Sequence, residues 1–158
     1  TSNEGFGLTV AEALMCEKMA IINITGGLQD QAGFRNDKGE LLHEDRDYTG
    51  EWGSNHDGRF RNHGEWILSC FPTSRSLLGS PPTPYIFDDR CSWEEAGQHI
   101  RTVYDMSKAE RERRGKLGRE YLLANGFSAD EMNRRFMESM DTIFANWTPR
   151  KKFELIKA

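Results

Sequence analysis

The start of the chain constrains the fold most, because it places a loop, a helix, a strand and a turn in one fixed order. Gly5 and Gly7 precede a helix-forming run, which predicts a helix over about residues 9–17. Residues 19–24 form a short apolar, β-branched run that is typical of a buried parallel strand. The glycine pair at residues 26–27 then ends this run in a turn. Loop, helix, strand and turn make half of a βαβ unit, so the sequence predicts an α/β fold.

Two carboxylates beside this loop indicate its chemistry. Glu4 and Glu12 have seven residues between them, and the glycines at positions 5 and 7 let the backbone approach a ligand closely. The first turn of the helix presents unpaired N–H groups and a positive dipole end, which favour an anion. Each carboxylate can accept hydrogen bonds from a pair of hydroxyls, one pair on a hexose and one on a ribose. These residue types therefore suit a phosphorylated sugar.

Length and charge exclude several classes of protein. The 158 residues suffice for one domain with its own core. A formal net charge of -4 argues against a general nucleic-acid binder, which carries a basic excess. No apolar run approaches the roughly 18 residues that span a bilayer, and no signal-peptide pattern opens the chain. We therefore expect a cytoplasmic protein that binds no nucleic acid.

The cysteines and histidines show no metal-site spacing. The cysteines number three and lack a CxxC pair, which predicts reduced thiols. The four histidines show neither helical pairing nor a zinc-type cluster, so no metal is expected. These residues are Cys16, Cys70, Cys91, His43, His56, His63 and His99.

The middle of the chain, at about residues 31–84, is interpreted as an irregular insertion, because it lacks long periodicity. Within it, residues 64–71 are a candidate strand, and the prolines of residues 80–84 predict an extended, irregular connection. Residues 73–80 have the composition of a surface loop, and their hydroxyls and arginine would also fit a phosphate or an acceptor. Several aromatic residues favour an ordered insertion over a disordered one. They are Phe34, Tyr48, Trp52, Phe60, Trp66 and Phe71.

The last part of the chain is predominantly helical. Helices are predicted at about residues 93–106, 108–124 and 128–147. Residues 85–87 are the last strand candidate, and Ser92 with Glu95 has capping-box spacing. The basic residues of 108–119 are interpreted as a solvated helix face with i, i+4 ion pairs, in preference to a membrane-docking surface. Residues 148–158 form a basic C-terminal tail.

With these motifs in order, the chain resembles the C-terminal, donor-binding domain of retaining GT-B glycosyltransferases of the group 1 family. The resemblance covers about residues 1–30 and 85–145, and it leaves the insertion between them unplaced. The residues that carry it are Ser2, Glu4, Gly5, Phe6, Gly7, Leu8, Glu12, Gly26, Gly27, Asp30, Asp88, Asp89, Glu95, Ile100, Arg111, Arg114, Leu117 and Gly118.

The resemblance implies that residues 1–147 form part of a Rossmann-like parallel sheet with flanking helices, which binds a nucleotide-sugar donor. It implies that Glu4, as the catalytic residue, contacts hydroxyls of the donor sugar. Glu12 would accept hydrogen bonds from both ribose hydroxyls. The other donor-binding residues would hold the sugar or diphosphate through backbone N–H groups, or would shape the loop beside it. They are Gly5, Phe6, Gly7, Leu8, Thr9, Gly26 and Gly27.

The resemblance also implies transfer of the sugar to an acceptor with retention of configuration, without a metal or any cofactor beyond the nucleotide-diphosphate sugar. The helix N-terminus, with an upstream Arg/Lys pair in this family, would stabilise the departing diphosphate. Because the chain does not begin with Met, we expect a fragment of a transferase or one half of a split transferase. Its missing N-terminal domain would bind the acceptor, whose identity is unknown, and the fragment alone would be inactive.

Other functions stay open at this point. A different GT-B enzyme, such as a sugar-nucleotide epimerase, would need acid–base carboxylates and histidines that converge on the sugar. A phosphorylase would need a lysine-bound pyridoxal phosphate, for which no fitting motif is seen. A non-catalytic sugar-nucleotide-binding module would keep the donor loop and lack a catalytic role.

Overall fold

The computed structural model describes residues 1–42, 55, 58–80 and 82–149. The chain divides into two units, Thr1–Asn125 and Gly126–Ala158. The first unit contains, in chain order, α1 (Leu8–Met15), β1 (Ala20–Asn23), α2 (Leu28–Ala32), β2 (Ile67–Cys70), β3 (Pro72–Ser80), β4 (Thr83–Cys91), α3 (Trp93–Asp105) and α4 (Lys108–Ala124). The second unit contains α5 (Ala129–Asn146).

β1 and β2 form a small parallel sheet, in which Ala20 lies opposite Ile67 and Asn23 lies opposite Cys70. β1 confirms the parallel strand that its apolar, β-branched sequence predicts. β2 confirms the candidate strand within residues 64–71. With helices in sequence before and after these strands, the first unit has an α/β fold.

β3 and β4 form an antiparallel hairpin, in which Leu77 lies opposite Phe87 and Leu78 opposite Ile86. The hairpin corrects the interpretation of residues 31–84 as irregular, because β3 and the start of β4 fall within them. Serine and glycine in β3 give a weak strand signal by themselves. The strand is stabilised by cross-strand pairs, which only the folded hairpin creates.

The helices α1, α3, α4 and α5 confirm the predicted ones to within two residues at each end. The Ser92 hydroxyl accepts hydrogen bonds from the N–H groups of Glu94 and Glu95, as its capping position predicts. The Glu95 side chain, expected to reach back to the cap, instead accepts a hydrogen bond from the Phe71 N–H at 3.2 Å. Glu95 therefore joins the start of α3 to the residue that follows β2.

The core of the first unit is built from helices and from the parallel sheet. Its buried apolar residues are Leu14, Ile22, Ile24, Leu28, Ala32, Phe34, Trp66, Ile67, Cys70, Phe71 and Leu122. Phe34, Trp66 and Phe71 belong to the predicted insertion, so their burial confirms that this part of it is ordered. Of the other aromatic residues expected to order it, Phe60 is half-buried, and Tyr48 and Trp52 lie outside the described residues.

Several further expectations concern cysteines, histidines and membranes. Cys16, Cys70 and Cys91 are free thiols, and burial, followed by the neighbouring Cys91, raises the pKa of Cys70 to about 12. His43, His56 and residues 150–158 of the basic tail lie outside the described residues. Over the ranges that the structure describes, no helix is both long enough and apolar enough to cross a membrane.

α4 packs closely against the end of α1, because two of its contact residues are glycines. A Cβ on Gly115 would lie 2.0 Å from the Glu17 carbonyl oxygen. A Cβ on Gly118 would lie 2.9 Å from Cδ2 of Leu14, the fully buried residue of α1. This close contact orients α1, whose other end begins the loop described below.

We expect Gly115→Ala to lower the free energy of unfolding by about 1–3 kcal/mol, because the new methyl group must displace backbone atoms. Gly97→Ala is the matched control, since Gly97 lies inside α3 with nothing within 4 Å of the added Cβ. That substitution should raise the free energy of unfolding by roughly 0.5–1 kcal/mol. Urea unfolding followed by circular dichroism measures both, and equal effects of the two would contradict the packing described.

Candidate functional site

The loop at residues 4–7 and the glycine turn after β1 lie directly against each other. The Gly27 N–H donates a hydrogen bond to the Gly5 carbonyl oxygen at 2.9 Å. A Cβ on Gly26 would lie 1.8 Å from the Glu4 carbonyl oxygen, and a Cβ on Gly27 would lie 2.3 Å from that of Gly5. The structure thus brings together two of the predicted donor-site segments. They meet just past the carboxyl end of β1, the edge of an α/β sheet where ligands commonly bind.

Gly7 turns the loop into α1 in a conformation that glycine favours. Its φ is 83°, in the left-handed region, and its carbonyl oxygen accepts hydrogen bonds from the N–H groups of Val10 and Ala11 at 3.0 and 3.2 Å. No side chain among the described residues caps α1, whereas serines cap α3, α4 and α5. The N-terminal end of α1 therefore keeps the unpaired N–H groups and the dipole that attract anions.

The two predicted carboxylates differ in their surroundings. Glu4 is half-buried, and its Oε1 accepts a hydrogen bond from the adjacent Gly5 N–H at 3.1 Å. Glu12 is exposed on α1, one turn beyond the start of the helix. Phe6 and Leu8 are 46% and 67% exposed. Thr9 is also exposed.

Gln31 on α2 is a site residue that the sequence analysis did not identify. It is fully buried, and its Nε2 amide donates hydrogen bonds to the carbonyl oxygens of Phe6 and Gly7, the latter at 3.2 Å. These bonds fix the two peptide groups immediately before α1. The available signal was a glutamine in a short segment enclosed by glycines, which is compatible with many loops and does not predict burial.

Tyr121 and Trp66 hold α2 in place through hydrogen bonds to its backbone. The Tyr121 hydroxyl donates to the Asp30 carbonyl oxygen at 2.7 Å, and the Trp66 Nε1 donates to the Gln31 carbonyl oxygen at 3.0 Å. The Trp66 and Tyr121 rings stack with centroids 4.7 Å apart. Asp30 lies within α2, and it is exposed.

The arginine of the candidate phosphate loop is engaged inside the protein. Arg75 lies in β3, and its Nε donates to Oδ1 of the buried Asp89 at 2.7 Å. Its guanidinium also lies over the Phe87 ring, 5.1 Å from the centroid. The neighbouring Asp88 accepts hydrogen bonds from the Ser2 hydroxyl and from Arg90, and these hold the pKa of its carboxyl below the usual range. Arg75 of β3 therefore forms a structural ion pair with Asp89 of β4.

The basic face of α4 carries the expected ion pairs. Arg114 pairs with Glu110 at 2.7 Å in i, i+4 spacing, and Arg113 pairs with the same carboxylate at 2.8 Å. The two arginines hold the pKa of Glu110 down at about 2. These contacts confirm the interpretation of residues 108–119 as a face laced with ion pairs.

Two clefts among the described residues lie away from the loop of residues 4–7. One cleft of about 290 Å³ lies between Lys18 and Arg111, and another of about 450 Å³ lies between Arg61 and Gln98. None of the predicted donor-binding residues lines either cleft. In the part of the chain that the structure describes, no three His, Cys, Asp or Glu side chains come together as a metal site would require.

Comparisons with protein-family models, with curated proteins and with solved structures found no match.

We expect Gly26→Ala to lower the free energy of unfolding by about 1–3 kcal/mol, because its Cβ would overlap the Glu4 carbonyl group and its φ of 49° is strained for alanine. Gly5→Ala is the control, since nothing lies within 4 Å of a Cβ there. Its effect should stay within about 0.5 kcal/mol. A Gly26→Ala protein as stable as Gly5→Ala would show that the two segments are not in contact.

Tyr121 provides a pH-dependent test of the contacts that hold α2. Burial, followed by the charge of Asp30, raises its pKa from 10.0 to about 12. A raised pKa in the folded state means that its contribution to stability is complete below pH 10 and is lost as the pH rises from 10 to 12. Unfolding titrations at pH 8 to 12 should therefore show a steeper alkaline loss of stability for the wild type than for Tyr121→Phe. Parallel curves would contradict the buried position of this hydroxyl.

Proposed function

We propose that this chain binds a nucleoside-diphosphate sugar at the loop of residues 4–7 and the start of α1. We further propose that it is the donor-binding part of a retaining, group 1 glycosyltransferase with a Rossmann-like GT-B fold. The acceptor would bind to a separate N-terminal domain of the same protein.

The contact between the loop and the glycine turn is the observation that carries the proposal. Gly26 and Gly27 lie so close to Glu4 and Gly5 that no side chain fits between them. Both segments therefore present backbone next to the uncapped start of α1. The N–H groups at the start of α1 would bind the diphosphate, because its charge is distributed over several oxygens that accept hydrogen bonds from backbone N–H groups.

The two carboxylates suit opposite ends of such a ligand. Glu4 precedes the loop, whereas Glu12 lies about 6 Å along the helix axis from Leu8, the first residue of α1. We assign Glu4 to the hydroxyls of the sugar and Glu12 to the two ribose hydroxyls. The exposed side of α1, with Thr9 and Glu12, leaves room for the nucleoside between them.

Catalysis in this proposal is electrostatic. The bond between the anomeric carbon and the diphosphate oxygen breaks, the acceptor oxygen forms a new bond on the same face, and the acceptor proton passes to the departing phosphate. The N–H groups and dipole at the start of α1 would stabilise the negative charge that develops on the diphosphate. An Arg/Lys pair from elsewhere in the complete protein would supply the remaining positive charge. The family resemblance implies that no metal is needed.

Ligand-observed saturation-transfer NMR with UDP-glucose, ADP-glucose and GDP-mannose tests donor binding. We expect one of these donors to bind the wild-type chain, and we expect Glu12→Ala to weaken its binding about tenfold or more, since a charge-assisted contact to two hydroxyls is lost. Glu120→Ala is the control, because Glu120 is an exposed carboxylate on α4, outside the proposed site. It should bind the donor as the wild type does.

Each outcome of this experiment has a defined meaning. Failure of every donor to bind at millimolar concentration would overturn the proposal. If Glu12→Ala and Glu120→Ala weakened donor binding equally, this would contradict the proposed contact between Glu12 and the ribose. New anomeric signals from the donor in the absence of an acceptor would favour a sugar-nucleotide epimerase. A complete protein that binds donor and transfers no sugar to any acceptor would be a non-catalytic binding module.

A further inference from the structure

We propose that Asp89, at the end of β4, is the positioning residue of the sugar-binding loop. This inference rests on the proposed function and adds a residue to which that function gives no role. Asp89 contacts neither the proposed sugar nor the diphosphate. It acts through the segments on both sides of Glu4.

The Asp89 carboxylate joins the hairpin to the glycine turn. Its side chain is 2% exposed, its Oδ2 accepts a hydrogen bond from the Thr25 hydroxyl at 3.0 Å, and its Oδ1 accepts one from Arg75 Nε at 2.7 Å. Thr25 directly precedes Gly26, whose backbone lies against Glu4. The carboxylate therefore holds the start of the turn on which the sugar-binding loop packs.

The Asp89 backbone holds the other side of the loop. Its N–H donates to the Ser2 carbonyl oxygen at 2.7 Å, and its carbonyl oxygen accepts from the Asn23 Nδ2 amide at 2.8 Å. The same amide donates to the Thr1 carbonyl oxygen at 3.0 Å. Glu4 thus lies between Ser2, which Asp89 holds, and Gly5, which the turn holds.

The α1 helix is held by different contacts. Its buried Leu14 packs near Gly118 of α4, and Gln31 fixes the peptide groups before its first turn. A change at Asp89 should therefore displace Glu4 and leave Glu12 in place. The consequence is selective: binding of the sugar weakens, and binding of the nucleotide does not. General destabilisation would weaken both.

Asp89→Asn and Thr25→Val test this selectivity. Asp89→Asn keeps the shape of the side chain, removes its charge and places an amide donor where Arg75 or Thr25 also donates. Thr25→Val removes the hydroxyl that Asp89 accepts from, and it tests the same link if Asp89→Asn does not fold. Asp105→Asn is the control, because it breaks an exposed ion pair with Arg101 on α3.

Isothermal titration calorimetry compares the nucleotide sugar that the wild type binds, chosen from UDP-glucose, ADP-glucose and GDP-mannose, with UDP, ADP or GDP respectively. We expect Asp89→Asn and Thr25→Val to weaken binding of the nucleotide sugar about tenfold, and to change binding of the nucleoside diphosphate less than about twofold. Asp105→Asn should change neither. Equal weakening of both ligands, or of neither, would overturn the role of Asp89. A wild-type chain that binds no nucleotide sugar would instead overturn the proposed function.

Discussion

The close approach of two backbone segments is the constraint on which the rest of this site depends. The Glu4 and Gly5 carbonyl groups lie where side chains on Gly26 and Gly27 would otherwise be. Because neither segment can move away without exposing the buried Leu28 and Gln31 behind it, the loop and the turn form one surface. The helix α1 that follows the loop is positioned by Gly115 and Gly118 of α4, and Gln31 fixes the peptide groups before its first turn.

Polar side chains, more than apolar ones, determine the conformation of the loop. Gln31 and Asp89 are both almost completely buried, and each directs its hydrogen bonds to the segments around Glu4. A buried polar group is costly unless it is hydrogen-bonded, so each of these residues stabilises one arrangement of its neighbours and penalises others. Such residues favour one loop conformation over other conformations that would be equally compact. Recognition of a specific ligand requires a single, well-defined conformation.

The order of the elements and their type could be predicted from the sequence to a considerable extent. The helix α1, the parallel strand β1 and the boundaries of α3, α4 and α5 follow from periodicity, capping and apolar runs, all of which are local. The hairpin could not be predicted in this way. β3 contains Ser74, Ser76 and Gly79, and its stability comes from pairing with β4. The same limit applies to α2, whose buried Gln29 and Gln31 resemble exposed loop residues in the sequence.

By itself, the sequence determined the glycines that allow close backbone contact, the carboxylates at positions 4 and 12, and the helix that follows them. Those features depend on the intrinsic properties of residues and on neighbours within about one helical turn. The tertiary structure decided which residues hold the loop. The hydrogen bond from Gln31 to Phe6 joins residues 25 positions apart, and the one from Thr25 to Asp89 joins residues 64 positions apart. Side-chain identity carries no information about partners at such separations, because the folded chain alone brings them together.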